Sequence, residues 1–174
     1  MRASKVSAAA ARAAKPVDLE TRLTDDHHQA LKLWLRLLSC TNLVEAGVRG
    51  RLRAEFGITL PRFDLMAQLE RNPGGLKMNE LSRRMMVSGG NVTGLTDQLE
   101  KEGLVTRSDD PEDRRAYTVK LTPAGRALFA RMAAVHEQWV IELFSGLTAS
   151  DKAQIHRLLA KLKLHLAGMS ASSN

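Results

Sequence analysis

Residues 103–125, GLVTRSDDPEDRRAYTVKLTPAG, decide the fold of this 174-residue chain. Two short runs, 104–108 and 117–121, alternate apolar and polar side chains as a half-exposed strand does. Between them, Asp109-Asp110-Pro111-Glu112-Asp113-Arg114-Arg115 is rich in turn formers and ends in two adjacent arginines. The stretch therefore predicts a β-hairpin with a charged tip. A helical pattern runs directly into it, and Thr122-Pro123 opens another directly after it. A basic hairpin fixed to the end of a helix is the geometry of a winged helix, a module that binds DNA.

Upstream of the hairpin, two short helices are expected at 78–85 and 88–102, with Val87 and Ser88 in the turn and Ser88 as N-cap. Leu81, Met85, Val92, Leu95 and Leu99 would form the small core of this helix-turn-helix. Before it, Thr59 caps a helix with Pro61 in its first turn, ended by Asn72-Pro73-Gly74-Gly75. The pattern from Asp25 to about Phe56, stopped at Gly57, predicts a first helix too long for a small isolated domain, which suggests packing on a second subunit. After the hairpin, Thr122 caps a helix to about Phe144. Thr148 and Asp151 then form a capping box for a last helix with a stripe at Ile155, Leu158, Leu159, Leu162 and Leu166. The fold expected is mainly α: a winged helix-turn-helix at 61–121, with long N- and C-terminal dimerisation helices at 25–56 and 122–168 and a small β-hairpin wing. The end helices carry more apolar surface than the small module can cover, and a homodimer accounts for it.

The formal charge of +7 and a pI near 10.0 fit a polyanionic partner without singling one out. The residues are 44% hydrophobic but only 4% aromatic, which favours helices. One cysteine, Cys40, excludes an internal disulfide and any cysteine-based structural zinc site. No apolar run approaches the roughly 18 residues that span a membrane, so a cytoplasmic protein, nucleoid-associated when bound to DNA, is expected. The segment MRASKVSAAAARAAKP has no acidic residue, and Arg12 interrupts its apolar stretch, so residues 1–24 read as a flexible basic arm rather than a secretory signal. Residues 169–174 read as a tail, disordered from Ser170.

The second helix of a helix-turn-helix enters the major groove with its N-terminal residues nearest the bases. Here these are Ser88, Gly89, Gly90, Asn91, Val92 and Thr93. Asn91 has the two-pronged amide that reads adenine, a methyl of Thr93 or Val92 suits thymine, and Gln98 lies further along the same helix. Capping alone accounts equally for Ser88 and Asn91, and tight packing for the two glycines. At the hairpin tip, Arg114 and Arg115 suit a narrow A·T-rich minor groove, and Asp113 suits the orientation of an arginine. Arg83, Arg84 and Lys77 are candidates for phosphate contacts.

Residues 79–125, with the Asp113-x-Arg115 element followed by Leu121-Thr122-x-x-Gly125, resemble the multiple antibiotic resistance regulator (MarR) family of bacterial transcription factors. The resemblance extends with the helix order over residues 25–167. It implies an obligate homodimer reading a pseudo-palindrome, with Arg115 in the minor groove, Asp113 as its brace and residues 88–93 at the major-groove edge. Lys77 departs from the Ser or Thr cap common at that helix start, and the N-terminal arm exceeds the family norm. Such proteins usually repress and release DNA when a small molecule binds, often an aromatic carboxylate or its coenzyme A thioester. His28, Trp34, Leu38, Arg53, Arg62, Phe63 and Met66 are the candidates for such an effector, although Trp34, Phe63 and Met66 also suit plain core.

Alternatives are a constitutive or architectural DNA binder, and a redox-gated regulator using Cys40, a mid-helix thiol expected to be buried and inert. His27, His28, His136, His156 and His165 show no metal-ligand spacing, and neither metal nor cofactor is expected. There is no glycine-rich phosphate loop, and His136-Glu137 lacks the second histidine of a zinc hydrolase, so enzymatic activity is not expected.

Overall fold

A computed structural model describes residues 28–109 and 117–171. The N-terminal arm, the hairpin tip at 110–116 and residues 172–174 lie outside the described residues. The elements run α1 (Gln29–Phe56), α2 (Leu60–Glu70), β1 (Leu76–Lys77), α3 (Met78–Met85), α4 (Gly89–Lys101), β2 (Val105–Asp109), β3 (Tyr117–Leu121), α5 (Pro123–Leu143) and α6 (Ala149–Ala171). The chain divides into two compact units between Leu43 and Val44, inside α1.

In the first unit the described part of α1 carries exposed Leu31, Leu33, Trp34 and Leu38. The second unit has one core. Val48 and Leu52 from the end of α1, Phe63, Leu65, Met66 and Leu69 from α2, Leu81 from α3 and Val92 and Leu99 from α4 meet Val119 and Leu121 of β3 and Met132 and Trp139 of α5. The helix ends follow the expected chemistry. Gly57, at φ +63°, stops α1, because a left-handed residue ends the helical hydrogen-bond ladder. Thr148 and Asp151 close a reciprocal capping box on α6: the Thr148 N–H donates to Asp151 Oδ2 at 3.0 Å, and the Asp151 N–H donates to Thr148 Oγ1 at 3.2 Å. Thr59 stands at the N-cap of α2, but its hydroxyl makes no cap bond; its carbonyl accepts from the N–H groups of Arg62 and Phe63, both at 3.1 Å.

Two features differ from expectation. The sheet has three strands in the order β1-β3-β2, because Leu76 and Lys77 pair with Val119 and Thr118. The last helix does not yield to a tail at 169: α6 continues through Gly168 to Ala171. A lone glycine near the end of a helical pattern suggests a stop, but Gly168 stays helical and the run continues past it. Among residues 149–169 of α6 none is buried, and Ile155, Leu158, Leu159, Leu164, Leu166 and Met169 are exposed along it.

Candidate nucleic-acid interface

The α4 N-terminus is built by its first turn. Ser88 is extended at φ −65°, ψ 153°, and its Oγ accepts the Asn91 N–H at 3.4 Å. Thr93 Oγ1 donates back to the Gly89 carbonyl at 3.0 Å. Ser88, Gly89, Gly90, Asn91, Thr93 and Gln98 are all exposed. Val92 is fully buried, so of the two residues with a methyl for thymine only Thr93 remains. A Cβ built on Gly89, Gly90 or Gly94 meets no atom within 4 Å, so packing inside the chain does not explain these glycines. Instead, Gly90 and Gly94 line an open groove of about 360 Å³ with Pro61, Val87, Asn91, Leu95 and Gln98. One face of α4 is thus bare backbone flanked by two amide side chains, a surface that something outside the chain can approach closely.

The positive charges sort by their partners. Arg84 donates to Glu80 Oε1 through Nε at 3.0 Å and Nη2 at 2.6 Å, one helical turn back, whereas Arg83 is exposed beside it. Lys77 sits in β1 as the N-cap of α3, extended and without a side-chain cap bond, and α3 starts at Met78 despite the missing hydroxyl. Asp113, Arg114 and Arg115 lie outside the described residues. The strands that carry them pair antiparallel from Val105 opposite Leu121 to Asp109 opposite Tyr117.

The hairpin is joined to α4 by residues the sequence reading did not single out. Arg107 on β2 donates to Glu100 and Asp97 of α4. At the base of the hairpin, Thr122 Oγ1 donates to the Gly103 carbonyl at 2.7 Å and accepts the Gly125 N–H at 3.0 Å. The Thr122 N–H donates to the Leu104 carbonyl at 3.0 Å. Gly125 is buried there so closely that a Cβ would lie 1.9 Å from the Leu104 oxygen, which gives the Leu121-Thr122-x-x-Gly125 element a steric reason.

The effector candidates scatter. Phe63 and Met66 belong to the core: Phe63 stacks on Phe129 at 5.4 Å and Met66 is fully buried, so neither offers a face to a ligand. Arg62 is turned to an ion pair with Glu102, and its Nε is buried with no partner among the described residues. Arg53 is exposed on the second unit, and His28, Trp34 and Leu38 are exposed on the first. Cys40 is exposed as well, against the expectation of a buried thiol. His136 lies 4.9 Å from the Phe63 ring, and burial pulls its pKa below the ordinary 6.5. No group of three or more metal-ligating side chains occurs among the described residues. No described helix is long and apolar enough to cross a membrane.

A two-helix motif whose second helix shows an open N-terminal edge, followed by a hairpin tied to it, defines a winged helix-turn-helix protein. The MarR family model matches residues 58–117. The HTH-type transcriptional repressor MdtR of Bacillus subtilis is 31% identical over 106 residues, covering 61% of this chain and 68% of that protein. A MarR family transcriptional regulator from Silicibacter pomeroyi has a similar structure, with a TM-score of 0.71 and 32% identity over 83% of this chain and 99% of that one. A mutant MarR of Escherichia coli complexed with operator DNA gives a TM-score of 0.70 and 25% identity over 80% of this chain and 99% of that one. Matches to other curated regulators span only 58–60% of those proteins' own length. The chain belongs to the MarR family, and the relatives it matches are transcriptional regulators.

Proposed function

We propose that this regulator binds operator DNA as a homodimer, with α4 in the major groove and the β2–β3 hairpin reaching the adjacent minor groove through Arg115, braced by Asp113. The observation that carries the reading is the bare, exposed N-terminal face of α4, where Ser88, Gly89, Gly90, Asn91 and Thr93 stand clear of the rest of the chain. Glycine in a helix costs roughly 0.8–1 kcal/mol relative to alanine. Three along the open face of one helix suit a surface that must let a duplex come close to the backbone. The likeness to the Escherichia coli MarR complexed with operator DNA supports operator binding. Ser88 and Asn91 then serve twice, as cap and as base-edge contact, and Gln98 extends the contact along the helix. Arg83, exposed beside the ion-paired Arg84, takes over the phosphate role, with Lys77 at the start of α3.

The dimer reading rests on α6, a helix of 23 residues with no buried side chain among residues 149–169 and a row of exposed leucines. Two such subunits present two α4 helices to a pseudo-palindromic site. Repression relieved by an aromatic carboxylate or its coenzyme A thioester completes the proposal, with Arg53 as the exposed cation among the effector candidates of the second unit. Exposed Cys40 favours a second reading, in which an oxidant rather than a small acid releases the DNA. Binding to the DNA upstream of its own gene, at fixed salt, tests both. Release by an aromatic acid or thioester supports the first, and release by peroxide that a Cys40→Ser variant resists supports the second. No binding to that DNA at any salt refutes the operator reading.

A further inference from the structure

The strand that leads into the hairpin tip is held by more than its sheet. In the order β1-β3-β2, the strand β2 lies at the edge, paired only with β3, Arg107 opposite Val119. Edge strands leave backbone groups to water or to a covering element. Here the covering element is α4. The backbone N–H of Arg107 donates to Glu100 Oε1 at 3.1 Å, its Nη1 donates to Glu100 Oε2 at 3.1 Å, and its Nη2 donates to Asp97 Oδ1. Asp97 and Glu100 are three residues apart on α4, one turn beyond the exposed edge at 88–93. The Arg107 side chain is only 23% exposed. A planar fork gripping two carboxylates fixes direction as well as distance, which a lysine's point charge does not.

We infer that Arg107 is a positioning residue: with Asp97 and Glu100 it locks the hairpin strand to α4 and so sets the spacing between the major-groove and minor-groove contacts. This rests on the operator-binding reading above. A duplex reads both elements at once only if their separation matches the groove geometry. A hairpin free to swing on its sheet pairing alone loses the minor-groove share of recognition and leaves the α4 share intact.

The test compares two operators, one with A·T-rich flanks where the hairpin lands and one with G·C flanks, at fixed salt. The wild type is expected to bind the G·C-flanked duplex about tenfold more weakly, as for a mismatch at a contacted position. Arg107→Ala should shrink that ratio to about twofold, Asp97→Ala, which leaves the bonds to Glu100, should shrink it less, and the double variant should be no worse than Arg107→Ala alone, since both act on one clamp. A base change in the α4 half-site should cost all variants as much as the wild type. Asp97 is 55% exposed, so its variant keeps the fold, checked by thermal unfolding. Tenfold discrimination retained in Arg107→Ala overturns the inference. So does an equal weakening on both duplexes with a salt slope lower by about one and no effect of Asp97→Ala, the signature of Arg107 touching a phosphate itself. A wild type that binds neither duplex sinks the operator reading and this role together, whereas a discriminating wild type matched by its variants sinks only the clamp.

Discussion

Gly125 is the position where a single methyl group should do the most damage. A Cβ there would lie 1.9 Å from the Leu104 carbonyl oxygen, 2.9 Å from its carbon and 3.3 Å from its Cα, all backbone atoms that cannot rotate away. Ordinary C···O contacts lie near 3.3 Å, so the start of α5 and the base of β2 must part by about 1.4 Å. That displacement breaks the 3.0 Å bond from the Thr122 N–H to the same carbonyl and strains the Thr122 hydroxyl bridge to Gly103. Overpacking costs roughly 1–3 kcal/mol, the broken bond about 0.5–1.5 kcal/mol, and alanine returns about 1 kcal/mol of helix propensity. Gly125→Ala should therefore lose about 2 kcal/mol, a fall in Tm of roughly 4–8 °C for a chain of this size. Thermal and urea unfolding at one fixed protein concentration measure it, because oligomerisation makes Tm depend on concentration. Gly94→Ala is the control: nothing lies within 4 Å of its Cβ, so the same methyl should stabilise by up to about 1 kcal/mol. Equal stability of Gly125→Ala and the wild type would refute the steric account of this junction.

Three further outcomes are expected. Arg115→Ala should weaken operator binding by about 1–3 kcal/mol, read by fluorescence anisotropy, and an unchanged affinity would remove the wing from recognition. Leu158→Asp, at an exposed position of α6, should shift light-scattering mass from dimer to monomer by placing a charge in an apolar interface; a dimer that survives it means α6 is not the interface. His136 is held below its ordinary pKa of 6.5 by burial, so the folded state binds its proton less readily than the unfolded chain. The stability it contributes is full above pH 6.5 and falls away as pH drops through the lower folded value; the acid-side loss of Tm should be smaller in His136→Gln, and an identical pH profile would exclude this group as its source.

The elements that the sequence announced are those whose signals are local. Ser88, Thr122, Thr148 and Gly57 each mark a boundary with one side chain or one backbone angle, and the two alternating runs around residues 110–116 pair as their pattern requires. What escaped depends on chain segments that meet only in the fold. The strand β1 is two residues long and exists because β3 has a free edge, which no periodicity in Leu76-Lys77 announces. Phe63 and Met66 look equally suited to core or pocket, since hydrophobicity names the residue but not what faces it. Val92 was available to both the core and the groove edge, and the turn of α4 put it inside. Arg107 reaches Asp97 and Glu100 only because β2 folds back along α4. Its trace in the sequence is a pair of carboxylates three apart before a strand arginine, a signal readable once the hairpin is assigned.

The bare flank of α6 bears on the life of the protein before assembly. A newly made subunit carries Leu158, Leu159, Leu166 and Met169 in open water, the kind of surface that chaperones hold and proteases cut. Under the dimer reading, survival depends on how soon a copy meets another, so abundance has a threshold: scarce subunits are cleared, while plentiful ones pair and persist. The helix that joins the regulator would then also meter how much of it the cell keeps.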